Sequence, residues 1–564
     1  MKFKPFLAIS FLLSALACSS ESQMQNPLLN ESLDSLTAEE SSDSVDSPNE
    51  APSLSVTIEP TPYSPIAASL GIESSLPVAV QITATSEEHQ VTTARTSTFS
   101  SSHTFPLVGL RQSQSYDIEV LAIDKLGETL TFDGGTFISG EIDYPLPKFD
   151  LYVDLEQSQS GVTLIEYNPW ESVEEYGTKM ALIGIDNEGE PVFFYDPGDN
   201  TIAAIQATHE GTFIAFDQQV FGAREIDLLG NIVNQWRTPG LEETDPLVEN
   251  SVLVDPDWIE LTTFHHEIFP MPNGNFLGLA ATIHTLTPNQ RTLLCPEDQN
   301  EFSIVSDVVV EFEPDGTSIR SWDVWDALNI EETPGNHICI TDPPFASPER
   351  RDWTHANAVI YDETRDAILI SSRHTNQVIA FDHLETTGPQ SSIRWILGEQ
   401  GTLATDGDLF YHAHAVELQK DGSLLLYDNG NGRPGTKAGD PESPTYSRAV
   451  LYEISDSGED QTQWKAIQRW EHRVNDIDEN PLFAFFLGDA DRLENGNVLI
   501  THGGIWNRPA TQRSRIIEVT SDNESGDSIV WDLALGDAEV PVTVYRAERL
   551  PSLYFGQLFL VPQR

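Results

Sequence analysis

The segment "HAHAVELQKDGSLLLYD", residues 412–428, has an apolar run, a turn at Gly422 and a second apolar run. Two short apolar runs on either side of a glycine-containing turn predict an antiparallel pair of strands. The same order, with a turn that contains Gly or Asp, recurs three more times, at residues 270–280, 361–374 and 493–503. Such a repeat is interpreted before any single element, because it determines the fold.

A second type of strand pair alternates with the first and ends close to a tryptophan. It occurs at residues 223–236, 308–322, 377–395, 449–470 and 515–531. Together the two types form units of four short strands, and weaker copies within residues 181–217 bring the total to about six. Four-stranded units repeated radially are typical of a β-propeller, which protects its strand edges. We therefore predict a six-bladed β-propeller over residues 151–564.

Three further parts are predicted before the repeats. Residues 1–18 have a basic start, an apolar stretch and a cysteine after small residues, which is the pattern of a lipoprotein signal peptide. Residues 19–52 are acidic and rich in serine, and they predict a disordered tether. Residues 53–150 alternate apolar and polar residues without a helical segment, which predicts a small antiparallel β-sandwich. The expected fold class is all-β.

The signal sequence predicts an exported protein of the periplasm or cell envelope. Its contact with the membrane would be limited to a lipid attached to Cys18. Export also concerns Cys295 and Cys339, the two cysteines of the predicted folded region. An oxidising compartment would allow them to pair, and two separate buried thiols are the alternative.

The chain is strongly acidic, with 89 Asp and Glu against 30 Lys and Arg and a net charge of −59. Such a surface repels nucleic acid and anionic lipid, which excludes nucleic acid as a partner. The acidic excess fits a protein that stays soluble at high salt, where screening removes most of the self-repulsion. We interpret the charge as a property of the habitat rather than of a functional site.

Histidines occupy one equivalent position in three successive units. His414 lies eight residues before Gly422, and His266 lies eight residues before Gly274. His355 has nearly the same offset from the slightly longer turn of its own unit. The first strands of propeller blades line the central channel, so these imidazoles are expected to converge there. His412 would share the face of His414 if the strand has already begun at that point.

Arg373 adds a cation at the far end of the strand pair that begins at His355. A guanidinium beside three imidazoles argues against a tight divalent metal site and favours an anion. Its planar fork of donors suits sulfate, phosphate or carboxylate. The sequence also contains no glycine-rich phosphate loop, so no diffusible nucleotide cofactor is predicted.

Several segments resemble the bacterial aryl sulfotransferases that work without a nucleotide donor. They are "FHHEIFPMPNGNFL", "DWTHANAVIYDETRDAILISSRHTNQVIAFD", "HAVELQKDGSLLLYDNGNGR", "SRAVLYEI", "GDADRLENGNVLITHGG" and "YRAERLPSLY". The resemblance spans about residues 260 to 555 in the family's order. The preceding predicted sandwich is also similar to the family's N-terminal domain.

This resemblance implies that His414 is the nucleophile and is transiently sulfated. His266, His355 and Arg373 then take the places that bind the sulfuryl group. Weaker candidates for the substrate pocket are Asn357, His265 and His412. The implied reaction is ping-pong transfer from a phenolic sulfate ester to a phenolic acceptor, with no cofactor.

Two other functions fit the same residues. One is a metal-dependent propeller enzyme, an oxygenase or lyase, in which the histidines hold iron or zinc. The other is a ligand-binding propeller of the cell surface without catalytic activity. The sequence does not indicate an oligomeric state.

Overall fold

The computed structural model describes residues 52–560 apart from 145, 147–148, 170–179, 199–201, 209, 218–221, 240–256, 260–262, 299, 334, 336–337, 340–345, 348, 385–392, 459, 477–479, 506–513, 522–525, 537–541 and 556–558. The predicted signal peptide with Cys18 and all but the last residue of the tether lie outside this part. Within it, strands dominate, and the helices are limited to Pro288–Leu294, Val324–Ala327 and the 3₁₀ turn Gln461–Gln463. The prediction of an all-β fold is confirmed. No helix in the described part is long and apolar enough to cross a membrane.

The N-terminal sheet has six strands built around one long strand. Its strands are Leu54–Pro60, Ala68–Thr85, Gln90–Thr92, Ser100–Leu107, Ser115–Ile123 and Thr129–Ile138. The first half of Ala68–Thr85 pairs mainly with Leu54–Pro60 and Ser100–Leu107, and its second half pairs with the other neighbours. Burial alternates along Ser115–Ile123, as expected for a strand with one face in the core.

Six further sheets, named A to F, follow along the chain. Sheet A contains Val162–Pro169, Ala181–Ile185, Pro191–Tyr195 and Val542–Leu550, and sheet B contains Ile202–Ala207, Phe213–Asp217, Gly222–Ile226, Ile232–Arg237 and Asp257–Trp258. Sheet C contains Phe264–Pro270, Phe276–Thr285, Ser303–Phe312, Ser318–Asp323, Ala346–Ser347 and Arg350–Asp352. Sheet D contains Ala356–Asp362, Ala367–Ser372, Gln377–Asp382 and Ile393–Gly398.

Sheet E contains Ala404–Asp406, His414–Leu418, Leu424–Asp428, Arg448–Ser455 and Lys465–His472. Sheet F contains Phe149–Val153, Asp489–Arg492, Val498–His502, Ser514–Val519 and Ile529–Leu535. Two minor pairs join Ala484–Phe486 to Gly504–Ile505 and Arg95–Thr96 to Phe559–Leu560.

One strand of each sheet, called here its inner strand, contacts the inner strands of the two neighbouring sheets. In the order A to F the inner strands are Val542–Leu550, Ile202–Ala207, Phe264–Pro270, Ala356–Asp362, His414–Leu418 and Asp489–Arg492. Each inner strand contacts the next one, and that of sheet F contacts that of sheet A. The order of contacts therefore returns to its starting point.

Two strand pairings join the beginning and the end of this six-sheet region. Val542–Leu550 pairs with Val162–Pro169 to complete sheet A. Phe149–Val153 pairs with Ile529–Leu535 and forms the edge of sheet F. Segments nearly four hundred residues apart are thus held by strand pairing. A side-chain hydrogen bond from Arg549 Nε to Thr163 Oγ1, which spans 386 positions, adds to it.

A β-bulge interrupts the inner strand in five of the six sheets, A to E. In sheet E the bulge lies between His414, opposite Tyr427, and Glu417, opposite Leu425. Between these two pairs the inner strand advances by three residues and its neighbour by two. His414 and Glu417 therefore project from the same side of the sheet, whereas residues three apart on a regular strand project from opposite sides. Ala415 within this bulge has a φ of 59°, a left-handed conformation that non-glycine residues adopt only at a cost.

The tryptophans that end the second type of strand pair lie in the core. Trp236, Trp395 and Trp531 are buried in their sheets. The N-terminal sheet shares a continuous core with sheets A and B. A disulfide joins Cys295 to Cys339.

Gly488, just before the inner strand of sheet F, lies where side chains pack closely around the inner strands. It has a φ of +123°, and an added Cβ would collide with the Tyr427 ring. Gly496 has a φ of +89° but nothing within 4 Å of such a Cβ. We expect Gly488→Ala to destabilise the protein by about 1–3 kcal/mol more than Gly496→Ala, because both strain the backbone but only the first overpacks the core. Thermal unfolding of both variants measures the difference, and equal melting temperatures would contradict the expectation.

Candidate active site

Five imidazoles lie in a row where the inner strands of sheets C, D and E approach one another. The ring centroids of His265 and His266 are 4.9 Å apart, and those of His266 and His355 are also 4.9 Å apart. His374 stacks on His355 at 4.5 Å, and His412 follows at 6.0 Å from His374. The histidines predicted from the repeat are therefore brought together, and His374 joins them.

His414 stands beside this row, and the six histidines are called here the histidine cluster. The hydrogen bonds of His414 determine which of its ring nitrogens carries the proton. Its Nδ1 lies 2.6 Å from Asn429 Oδ1. The Asn429 amide nitrogen donates to the carbonyl oxygens of Ala484 at 2.9 Å and Leu487 at 2.8 Å. Because that nitrogen is engaged twice, Oδ1 is the atom that faces the imidazole, and it can only accept. His414 therefore carries its proton on Nδ1 and has a lone pair on Nε2.

The surroundings keep His414 neutral. Its side chain is fully buried, and its Nε2 makes no hydrogen bond within the described part of the chain. Burial lowers the pKa of His414 well below its ordinary value, and the charge of Arg373 lowers it further. A neutral imidazole with an open Nε2 is the form that can act as a nucleophile.

His266 has a different set of neighbours. Its Nδ1 lies 2.6 Å from Nδ1 of His265, whose Nε2 is 3.1 Å from Asp307 Oδ1. Burial alone would lower the pKa of His265, but the hydrogen bond and charge of Asp307 outweigh it and raise this pKa above the ordinary value. When His265 is protonated, it can donate from Nδ1 to His266, which then carries its own proton on Nε2. The His266 Nε2 has no partner among the described residues and is available as a donor.

His355 is oriented by a carboxylate. Its Nδ1 lies 2.5 Å from Asp352 Oδ2, and Asp352 precedes it by three residues. His374 Nδ1 approaches the Asp352 backbone oxygen at 3.1 Å. The backbone N–H groups of Arg373 and His374 donate to the carbonyls of His355 and Thr354, which holds both residues beside the start of the inner strand of sheet D.

Arg373 supplies positive charge to the cluster. It is buried, and its Nη2 donates to the backbone oxygen of Phe485 at 3.3 Å. Burial lowers the pKa of Arg373 to about 10, so it remains a cation at neutral pH. Its charge contributes to the low pKa of both His266 and His414, which places it within electrostatic reach of each. A buried cation between neutral imidazoles favours an anionic ligand.

Asn357 and His412 contribute in other ways. The Asn357 amide donates to the backbone oxygen of Ala413 at 2.9 Å and so fixes the residue before His414, while its Oδ1 accepts no hydrogen bond from a described residue. The inner strand of sheet E begins at His414, so the condition under which His412 would share its face is not met. His412 has a φ of 54° and lies beside His374 instead.

Asp352, His355 and His374 also have the residue types of a metal site, with ligand atoms within 4.8 Å of one another. Two ligands of a tetrahedral zinc ion with bonds of ~2.1 Å are about 3.4 Å apart. The 2.5 Å between His355 Nδ1 and Asp352 Oδ2 is shorter and corresponds to a hydrogen bond. This geometry favours an oriented histidine over a ligand set for zinc or iron.

Four residues of the cluster were not predicted from the sequence, namely Asp307, Asp352, His374 and Asn429. His374 directly follows Arg373, and Asn429 ends the hairpin that carries His414, so their positions in the chain gave some indication. Asp307 lies 42 positions after its partner His265, on another strand of sheet C, and offers no local pattern.

Comparison with protein families gives one match over most of the chain. The family model described as Arylsulfotransferase (ASST) matches residues 153–546. A protein named arylsulfate sulfotransferase AssT from Escherichia coli O6:H1 is 24% identical over 390 residues, which are 57% of this chain and 57% of that protein. A protein of the same name from Lelliottia amnigena is 25% identical over 346 residues, 50% of this chain and 52% of that protein. The chain thus spans little more than half the length of these relatives.

Solved structures resemble the chain only weakly. A protein of unknown function from Bacteroides caccae aligns with a TM-score of 0.34 and 12% identity, covering 69% of this chain and all of that one. A putative 6-phosphogluconolactonase from Bacteroides fragilis aligns with a TM-score of 0.30 and 10% identity, covering 69% of this chain and 98% of that one. Similarity at this level says nothing about function.

Proposed function

The chain belongs to the arylsulfotransferase family, and from that premise we propose that it moves a sulfuryl group from a phenolic sulfate ester to a phenolic acceptor. The observation that carries the proposal is the state of His414, a buried neutral imidazole whose Nε2 lone pair is directed away from its Asn429 partner. The nearby charge of Arg373 supports an anionic substrate. The reaction needs no diffusible cofactor.

We also propose that sheets A to F are the six blades of a β-propeller and that the N-terminal sheet belongs to a β-sandwich. The closed order of contacts among the inner strands supports the first part. In such an arrangement the inner strands line a central channel, and the histidine cluster lies at one end of it. A cluster contributed by three adjacent blades is then a natural site for a small ligand.

In the first half of the proposed reaction, His414 Nε2 attacks the sulfur of the donor. A nitrogen–sulfur bond forms, and the bond between sulfur and the aryl oxygen breaks. The departing phenolate has a conjugate-acid pKa of about 10, by analogy with tyrosine, so it leaves more readily when it receives a proton. His266 Nε2–H or His355 can give that proton, and Arg373 stabilises the charge on the sulfuryl oxygens.

The second half reverses these events with another phenol. The acceptor loses its proton to the histidine that gave one before, and its oxygen attacks sulfur. The nitrogen–sulfur bond breaks, and its electron pair returns to His414 Nε2. During the intermediate the sulfated ring is an imidazolium, and Asn429 Oδ1 keeps accepting from its Nδ1–H. This is ping-pong transfer through a sulfohistidine.

Export and anchoring are proposed from the sequence. The basic start and apolar stretch of residues 1–18 support export to the periplasm or cell envelope, and Cys18 is the proposed lipid attachment site. The hydrogen bond between His355 and Asp352 and the charge of Arg373 count against the metal-dependent alternative.

The nucleophile is tested by release of phenol from a chromogenic aryl sulfate, with and without a phenolic acceptor. We expect acceptor-dependent release by the wild type and a loss of at least about a thousandfold in kcat for His414→Ala. His89→Ala, in the N-terminal sheet region, is the matched control and should retain activity. Release without acceptor would indicate a sulfatase, and activity that follows zinc or iron content would favour the metal-dependent alternative.

The role of Asn429 is tested by Asn429→Ala and Asn429→Asp. Alanine removes the acceptor that holds the His414 proton on Nδ1, and we expect kcat to fall by about 10–100-fold. Aspartate still accepts from Nδ1 and should retain more activity. Its negative charge raises the pKa of His414, so the acidic limb of the pH profile should move to higher pH. Equal losses in both variants without a shifted profile would reduce Asn429 to a structural role.

The role of Asp307 is tested by the alkaline limb of the pH profile. Asp307 raises the pKa of His265, and above that pKa neutral His265 no longer donates to His266. The His266 proton can then move to Nδ1, and the donor at Nε2 is lost. We expect Asp307→Asn to shift the alkaline limb of kcat/KM to lower pH, while Glu313→Gln, an exposed change in the same sheet, leaves it in place. An unchanged limb in Asp307→Asn would exclude this relay.

A further inference from the structure

Three carboxylates meet next to the histidine cluster and have no part in the proposed reaction. Glu417, Asp489 and Asp491, called here the acidic trio, each offer an oxygen, and these oxygens lie within 4.8 Å of one another. Glu417 belongs to the inner strand of sheet E, and the other two belong to the inner strand of sheet F. Glu417 and Asp489 are buried, and Asp491 is partly buried.

The trio lies in a strongly negative region. The carboxylates that act electrostatically on one another there are Glu166, Glu267, Glu417, Asp489, Asp491 and Glu548. Arg546 also lies there, with its Nη2 3.6 Å from Glu267 Oε1. Six ionised carboxylates that are close enough to act on one another repel one another strongly, and burying such charge away from water is very costly.

Two oxygens in this region have no partner among the described residues. Glu166 is only 3% exposed, its Oε1 accepts from the Ile205 N–H, and its Oε2 accepts nothing. Oδ2 of Asp491 is likewise buried without a hydrogen bond. The charges of Glu548 and Asp489 act on Glu166, so its open oxygen belongs to the same electrostatic region as the trio. Buried, unpartnered carboxylate oxygens require either protons or a bound cation.

We propose that the acidic trio binds a calcium ion. The ligands are all oxygens, which hard cations prefer, and calcium accepts irregular coordination where magnesium demands a near-ideal octahedron and gives up water reluctantly. Two oxygens on opposite sides of a calcium ion are about 5 Å apart, because each bond is ~2.4 Å long. The oxygens of the trio lie within 4.8 Å of one another, so one calcium ion can contact all three.

The ion would join sheet E to sheet F through the strand that carries the proposed nucleophile. His414 and Glu417 lie on the same side of one five-residue strand because of the bulge between them. Binding of Glu417 to an ion held by sheet F would therefore fix the strand that carries His414. This inference concerns a site separate from the proposed transfer, and neither depends on the other.

The test is calcium binding to full-length protein that has first been stripped with a chelator. Isothermal titration with CaCl₂ at high ionic strength, which screens the acidic surface, should show one site per chain, and calcium should raise the melting temperature. Asp491→Asn should bind at least about tenfold more weakly, since ligand charge sets affinity. Glu332→Gln removes an exposed carboxylate elsewhere and should behave like the wild type.

Glu417→Gln serves as a second variant if Asp491→Asn does not fold, as judged by circular dichroism and gel filtration. Equal binding by wild type and folded trio variants would overturn the proposal, and so would tighter binding of Mg²⁺ than of Ca²⁺. If the carboxylates hold protons instead, calcium will leave the melting temperature of the wild type unchanged, which also overturns it. None of these measurements uses sulfuryl transfer, so failure of the calcium site and failure of the proposed function are distinguishable.

Discussion

The β-bulge of the inner strands is the constraint on which the site depends. A regular strand would send His414 and Glu417 to opposite sides, and the extra residue in sheet E brings them to one side. In sheet C the corresponding irregularity lies between His265 and Ile268, and His266 within it has a φ of 58°. The packing of the surrounding sheets offsets the backbone strain at these points and restricts each inner strand to a single conformation.

Buried polar groups then decide what each imidazole can do. His414 is fully buried and His265 is mostly buried, yet the pKa of His265 is raised and that of His414 is lowered. The difference comes from the neighbour, because Asp307 faces the first and Arg373 acts on the second. Pairs of titratable groups whose surroundings separate their pKa values are a common basis for assigning acid and base roles. Here one cluster contains both the proposed neutral nucleophile and the histidine proposed to relay a proton.

Much of the fold and part of the site could be predicted from the sequence, for physical reasons that are different in the two cases. Strand alternation and the recurring hairpin are local, so the all-β class and the positions of most strands followed from them. The offset between His414 and Gly422 placed His414 at the start of a strand, because a hairpin fixes the distance between its turn and its ends. Asn429 and Asp307 escaped prediction because they act from other strands, and the bulge breaks the alternation on which such an inference relies. His412 illustrates the same limit, since it precedes the strand by two residues.

Sheet A takes three strands from residues 162–195 and its inner strand from Val542–Leu550. During synthesis the ribosome makes the first three strands long before Val542–Leu550. Sheet A therefore has an unpaired edge while the other sheets form. Contacts between segments so far apart in sequence form slowly, because the loop between them must close first. An unpaired edge is also prone to join the strands of other chains. The pairing that completes sheet A is thus the step at which a nascent chain is most exposed to aggregation, and a chain that lacks Val542–Leu550 would keep that edge open permanently.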